Sequence, residues 1–534
     1  MTATPTGGGP LAGAQYWSSV TDGWASMEKS GRGFTATLTP DHGGTVGVIV
    51  QLVDRSGRAG APAYLDFRVK TGERPVARWH FAEASGTAVD SSTADDSAQQ
   101  DASLFGGAVR DDRGRRGVIT HDANGNPLET PVTDRGLVLD GTGAYAATAD
   151  SLLETRAPYT VSAWVRLDST EADGVVLSQD GQDYSPFALR YDAELGTWAF
   201  GVKESDADAG QSYQGVVADH SAVVGVWTHL AGSYDPATQE LRFYVNGSLQ
   251  GTSTVPGGWK SAGDFQIGRG LWAGEHRSYF HGSIDEVAVW QRELTAAEVS
   301  DEARTPTSGA RNGTELVASW DPSTASGSAV ADTVSGYGHD LALSGGATLD
   351  GDALVLNGTD GYAAAHEPIV DSTGSFTATA SVELDPDAYA SAPVGTRAQV
   401  FEQPAADGTS WGLWYEVAGH TTTIDENGNE ITLTVGTWRF GREGASVSAD
   451  EPTVVDGSRA RVTGVYDAQD GTISLYLSIF EQGQAKTFTA QPGQGDLTVG
   501  RSTDGDFLNG RILDARVWAG AVGGSQQLSE LIGE

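Results

Sequence analysis

At 534 residues the chain exceeds a single ordinary core, and at roughly 100–250 residues per domain it holds two to four of them. Its 71 acidic against 33 basic residues give a formal net charge of -38; such a surface repels phosphates and anionic bilayers and excludes nucleic acid as a partner. With no cysteine there is no disulfide framework, thiolate metal site or cysteine nucleophile, and no run of about 18 apolar residues offers membrane insertion. The 71 glycines are spread along the chain, as many tight turns require, which favours β-sandwiches over helices. Lysines are few among the basic residues, a bias associated with GC-rich bacterial genomes.

Taken in chain order, residues 1–13 open with a Pro/Gly/Thr-rich stretch and read as a flexible linker, so that any export signal or surface anchor would lie outside this segment. Residues 14–71 hold short β-like runs, Phe34 to Pro40, Val46 to Asp54 and Tyr64 to Val69, separated by Gly/Asp turns. Beyond residue 72 the chain repeats itself. ARWHFAEASGTAV around Trp79 returns as ASWDPSTASGSAV around Trp320, GLVLDGTGAYAA from Gly136 as ALVLNGTDGYAA from Ala353, and YTVSAWVRLD from Tyr159 as FTATASVELD from Phe376. TWAFG (Thr197) answers TWRFG (Thr437), GSYDPATQELRFYV (Gly232) answers GVYDAQDGTISLYL (Gly464), and both copies close on a Trp, at 290 and 518. Matches in the same order with drifting offsets mean two diverged copies of one domain, at 72–306 and 307–534, with loop insertions.

Within each copy apolar residues alternate with period two, as in Val161-Ala163-Val165-Leu167 and Leu241-Phe243-Val245, so each strand buries one face. Trp79, Trp164, Trp198, Trp290 and Trp518 fall on that pattern and are expected in the core. Asn246-Gly247 sits between two strands, the pair that a two-residue hairpin prefers. Glu293 to Arg304 is the one convincing helix, with Thr295 as its cap and Glu298 three residues on.

These residues carry a resemblance. The order W-x-F-x-E-x-x-G-T-x-x-D-x-S from Trp79, L-x-L-D-G from Leu137, Y-T-x-S-A-W-V from Tyr159, W-T-H-L-A-G-x-Y-D from Trp227, Y-V-N-G from Tyr244, I-G-R from Ile267 and G-x-I-D-E-V-x-V-W from Gly282 resembles the bacterial laminin-G-like, concanavalin A-like jelly-roll family. Residues 14–71 resemble the last strands of an immunoglobulin-like sandwich. The fold class expected is therefore all-β: tandem laminin-G-like jelly rolls after a small immunoglobulin-like domain. The family is a lectin-like accessory module of secreted enzymes, adhesins and toxins, which implies an extracellular or cell-surface binding protein without chemistry of its own.

The resemblance also implies a structural calcium where the early D-S-S loop meets the late G-x-I-D-E strand, held by Asp90 and Asp285, with Asp95, Asp96 and Asp101 nearby; calcium takes six to eight hard oxygen ligands. In the second copy Asp332 and Asp514 are the nearest counterparts, each displaced by one position, and Leu513 stands where the first copy has Asp285. The second copy also has Arg459-Ala460-Arg461 in place of Trp-Thr-His and lacks the Asn-Gly pair. The two D-x-N-G-N stretches, from Asp122 and from Asp425, lack the later calcium-loop ligands and read as turns.

Catalytic patterns fail on inspection. A laminarinase-type site needs E-x-D-x-x-E on one strand; Glu383-Leu-Asp385-Pro-Asp387 and Glu204-Ser-Asp206-Ala-Asp208 lack the final acid. Gly408-Thr-Ser410-Trp-Gly412 matches the nucleophile-elbow string without its strand-to-helix context. Loop aromatics remain, since sugar rings stack on Trp and Tyr beside hydrogen-bonding carboxylates: Asp180, Tyr184, Trp272, His276 and Tyr279 in the first copy, Trp411 and Trp414 in the second. The partners expected are glycans or cell-surface proteins, or other modules of a larger polypeptide in which the sandwiches act as spacers; a glycanase is the third reading.

Overall fold

The computed structural model describes residues 2–3, 11–18, 23–38, 44–69, 74–92, 99–121, 126–207, 212–307, 311–325, 327–424 and 428–533. Asp95, Asp96, Asp122 and Asp425 lie outside them. The chain divides into two compact units, Met1–Arg74 with Thr295–Asp301, and Pro75–Leu294 with Glu302–Glu534.

In the first unit the strands Leu11–Ser18, Gly23–Ser26, Gly44–Asp54 and Ala63–Val69 form one antiparallel sheet, and Thr2–Ala3, Gly33–Thr35 and Glu28–Ser30 form another. Ala14, Tyr16, Met27, Phe34, Val48 and Val50 make its small core. Residues 2–3 and 11–13, expected as linker, are strand, because they find partners at Thr35 and Asp54. The helix Ala296–Glu302 starts as expected: the Thr295 amide donates to Glu298 at 2.9 Å while the Glu298 amide donates back to the Thr295 hydroxyl at 3.3 Å.

The second unit holds both copies, each an antiparallel two-sheet sandwich of the same strand order. In the first, one sheet runs Val109–Asp111, Gly136–Asp140, His281–Trp290, Tyr159–Leu167, Trp227–Asp235, Glu240–Val245, Ser248–Thr254. In the second it runs Thr348–Asp350, Ala353–Asn357, Asn509–Ala519, Phe376–Leu384, Arg459–Asp467, Thr472–Leu477, Phe480–Thr487. The facing sheets match as well: Phe187–Asp192 and Gly174–Gln179 beside Phe265–Ile267 correspond to Thr409–Ile424 and Arg397–Pro404 beside Leu497–Val499.

Repeated side-chain devices hold both copies. Trp79 bridges to Asp90 and Trp320 to Asp332, and each indole N–H donates across the turn, to the Gln100 carbonyl at 3.0 Å and the His339 carbonyl at 2.6 Å. Gly232 and Gly464 lie under the rings of Phe200 and Phe440, where a Cβ would come within 2.3 and 2.2 Å of ring carbons; only glycine lets these rings reach the opposite sheet. Asn246 and Gly247 both take positive φ, 50° and 79°, between paired Val245 and Ser248. The second copy keeps the two-residue turn without Asn-Gly: Leu477 pairs with Phe480 around Ser478 at φ 53°.

Each copy also meets the other. Arg115 is buried with its guanidinium 4.0 Å from the Trp164 ring, and it donates to the Ala519 carbonyl of the second copy at 3.1 Å. Glu315 of the second copy accepts from the Trp227 indole N–H and from Tyr337 at 2.5 Å. Asp371 accepts from Thr228 at 3.0 Å and Asn246 at 2.8 Å. This covering buries Tyr159–Leu167 at every position, where the sequence pattern implied one solvent face.

Candidate functional site

The first sandwich carries an insertion that the second lacks. Phe280 and Leu508 hold the same place, each amide donating to a glycine carbonyl, Gly268 at 2.9 Å and Gly500 at 3.0 Å. Residues 269–279 span that interval in the first copy and only 501–507 in the second. The extra length forms a small hairpin, Gly270–Trp272 paired with Glu275–Arg277, turning through Ala273 and Gly274 at φ 54° and 75°.

Three contacts fix this hairpin. The Leu271 amide donates to the Ser185 hydroxyl at 3.0 Å, while the Ser185 amide donates to the Leu271 carbonyl at 3.0 Å. The Gly274 amide donates to the Asp183 carbonyl at 2.9 Å. His276 Nε2 lies 2.8 Å from Asp180 Oδ2, which also accepts from the Gln266 amide at 2.8 Å. Burial, the largest influence, holds the Asp180 carboxyl above its ordinary value against the lowering effect of His276. The facing loop is clamped by Asp206, whose carboxylate accepts the amides of Gln182, Asp183 and Tyr184 at 2.7, 3.0 and 2.8 Å. Asp206 entered the sequence reading only as part of a failed catalytic string, and no single-sequence signal ties it to Tyr184.

The result is an aromatic cluster at a cleft. Trp272 is half-buried and meets Tyr184 edge to face at 5.1 Å and Tyr213 at 5.8 Å; the Lys203 ammonium sits 4.2 Å from the Tyr184 ring and 4.8 Å from that of Trp272. Beside it opens a cleft of about 240 Å³ lined by Asp173, Arg190, Tyr213, Trp272 and Arg277 among others. Asp180, Tyr184, Trp272 and His276 thus come together. Tyr279 goes elsewhere: its ring lies 6.4 Å from Tyr145, which stacks on Phe105 at 4.9 Å and carries Arg269 at 3.3 Å. In the second copy Trp411 and Trp414 are buried, at 1% and 4% exposure, and offer no face to a ligand.

The four acids expected at calcium are otherwise engaged. Asp90 accepts the amides of Arg78, Ser92 and Gln100 at 2.9–3.0 Å. Asp332 accepts those of Ser319, Val334 and His339 at 3.0–3.2 Å, so the two stand in strict register rather than one position apart. Asp514 is held by both terminal nitrogens of Arg461, at 2.8 and 2.9 Å; burial would raise its carboxyl, yet this guanidinium keeps it below its ordinary value. Asp285 accepts the Arg115 amide at 2.6 Å, and among the described residues its carboxylate groups with Asp134 and Glu286, not with Asp90. Arg116 enters that group, 2.8 Å from Asp134 and 3.1 Å from Glu286, and His80 is 2.8 Å from Glu286. Against strong burial, the neighbouring His80, Arg116 and Arg78 hold the Glu286 carboxyl down to about 2. Backbone N–H groups and guanidinium ions are not calcium ligands; among the described residues the acids close enough to share an ion are Asp134, Asp285 and Glu286, of which Asp134 and Glu286 already pair with Arg116.

The catalytic strings are structural too. Asp385 caps the short helix Pro386–Tyr389, accepting from Asp387 and Ala388. Ser410 is buried at the start of the strand Thr409–Ile424, its hydroxyl donating to the Gln491 carbonyl at 2.5 Å.

Two tandem jelly-roll sandwiches with a rim cleft on the first define an all-β, jelly-roll protein. Residues 140–300, within the first sandwich, match the family model of the concanavalin A-like lectin/glucanases superfamily, laminin-G type. Among solved structures the chain is similar to domain 4 of an extracellular arabinanase from Geobacillus stearothermophilus in complex with arabinotriose, 20% identical over 43% of this chain and 98% of that one, TM-score 0.27. It is similar to the CBM40 of a Ruminococcus gnavus sialidase bound to α2,3-sialyllactose, 19% identical over 27% and 80%, TM-score 0.23. It is also similar to the receptor-binding domain of botulinum neurotoxin type G, 9% identical over 70% and 86%, TM-score 0.32. No curated protein matches the chain.

Proposed function

We propose that the chain is a non-catalytic, extracellular glycan-binding protein whose site is the cleft beside Trp272. One observation carries the reading: a half-buried indole, braced by Tyr184 and Tyr213, forms the wall of an open cleft with charged side chains on its other walls. A flat ring takes the C–H face of a sugar, and the polar groups fix its hydroxyls. The match of residues 140–300 to the family model of the concanavalin A-like lectin/glucanases superfamily supports the same assignment. Among the described lining residues one carboxylate, Asp173, faces two arginines; retaining or inverting glycoside hydrolysis needs a pair of opposed acids, which supports binding without cleavage. Among the described residues no helix is long and apolar enough to cross a membrane.

Glycan-array and calorimetric titration of the full chain test this. Trp272→Ala is expected to weaken binding at least about 10-fold, the loss of one stacking platform, with unchanged circular dichroism. Unaltered affinity in that variant places the site elsewhere, and silence across glycans alongside capture of host or bacterial surfaces favours the spacer reading.

The proposal assigns no calcium to Asp90, Asp285, Asp332 or Asp514, because their oxygens already face N–H donors. EDTA is therefore expected to leave the melting temperature unchanged; a drop of several degrees restored by calcium contradicts it.

A further inference from the structure

The cleft holds charge that a neutral sugar leaves unused. Of its charged lining residues two are arginines and one is an acid, on a chain where acids outnumber bases 71 to 33. Arg190 projects from the strand Phe187–Asp192; its Nη1 is held by Asp192 at 2.8 Å, while its Nε is buried without a hydrogen-bond partner. Arg277, on the inserted hairpin, is half exposed, and the carboxylate of Glu275 stands 3.6 Å away, itself 80% exposed. Asp173 turns one oxygen back on its own sheet, accepting the Ala193 amide at 2.9 Å.

A guanidinium presents a planar fork of donors that matches a carboxylate, and such charge-assisted bonds are about twice as strong as neutral ones. The indole of Trp272 lies on the same cleft. We propose that this cleft selects acidic sugars of the hexuronate class, the ring lying on Trp272 and the carboxylate between Arg190 and Arg277. The inference rests on the glycan reading above and narrows its ligand. The net charge of -38 opposes long polyanions, but beyond a Debye length of about 8 Å at physiological salt that repulsion is screened, so short oligosaccharides feel chiefly the two arginines.

The test is calorimetric titration of the full chain with tetrasaccharides in matched pairs: galacturonate and galactose, glucuronate and glucose, mannuronate and mannose. The hexuronate member of at least one pair is expected to bind about 10-fold or more tighter than its neutral counterpart. Arg277→Gln, an exposed change that spares the fold, should bring it down toward the neutral level. Arg190→Lys, which keeps the charge and removes the fork, should lose part of the preference, and Trp272→Ala should weaken both members alike. Equal affinity within every pair, or a preference that survives Arg277→Gln and Arg190→Lys unchanged, overturns the acidic selection and leaves glycan binding standing. Silence toward all six sugars overturns the acidic selection, while binding to another glycan on the array leaves the glycan reading standing and silence there overturns it too.

Discussion

Asp90 and Asp332 show how one residue type can carry opposite meanings. Their place in the motif is plain in the sequence, but an aspartate in a turn accepts N–H groups as readily as it binds an ion, and only the register with Trp79 and Trp320 decides. Glu315 gave no signal at all. It is 4% exposed, and burial, the largest influence, raises its carboxyl to about 7 against the Tyr337 hydroxyl, Arg166 and Arg115. A raised acid means that the folded chain binds the proton more tightly than the unfolded one. The stability this supplies is complete below the ordinary value of 4.5 and is lost as pH climbs through about 7. Between pH 5 and pH 8 the native chain should therefore lose on the order of 2–3 kcal/mol more than Glu315→Gln. Urea titrations at the two pH values check this; equal losses would show that Glu315 stays ionised throughout.

At the scale of elements, the sequence was readable wherever a short-range rule applies. Asn246-Gly247 and the Thr295–Glu298 box both form as their chemistry requires. The helix Ser525–Ile532 escaped notice because it is one short stretch whose apolar face is Leu528 and Ile532, packed near Trp518. The hairpin bearing Trp272 was visible only as an aromatic-rich loop; its meaning comes from comparing the two copies between Gly268 and Phe280 and between Gly500 and Leu508. Replacing residues 269–279 by residues 501–507 should abolish glycan binding while the sandwich still folds, since both loops leave from the same backbone bond. Circular dichroism together with titration reads this out, and retained binding would move the site off the hairpin.

At the scale of the molecule, duplication and jelly-roll topology were legible from ordered repeats and period-two alternation, and both sandwiches share one strand order. What the pattern could not reveal is that the outer face of the first sandwich is an interior. Trp164 and Trp227 belong to the apolar cluster of the second copy, and the buried Arg115 bonds its backbone. A single sequence marks residues as apolar without saying which neighbour covers them, so alternation read one buried face where there are two. The seam has a functional consequence. Duplicated folds need not mean duplicated sites, because the second copy lacks the inserted hairpin and buries Trp411 and Trp414.

The most direct test of the account is the calorimetric stoichiometry of the tightest-binding oligosaccharide on the full chain. One molecule bound per chain, with affinity at least about 10-fold weaker in Trp272→Ala, is the predicted result; two per chain, or one bound with unchanged affinity in that variant, would contradict it.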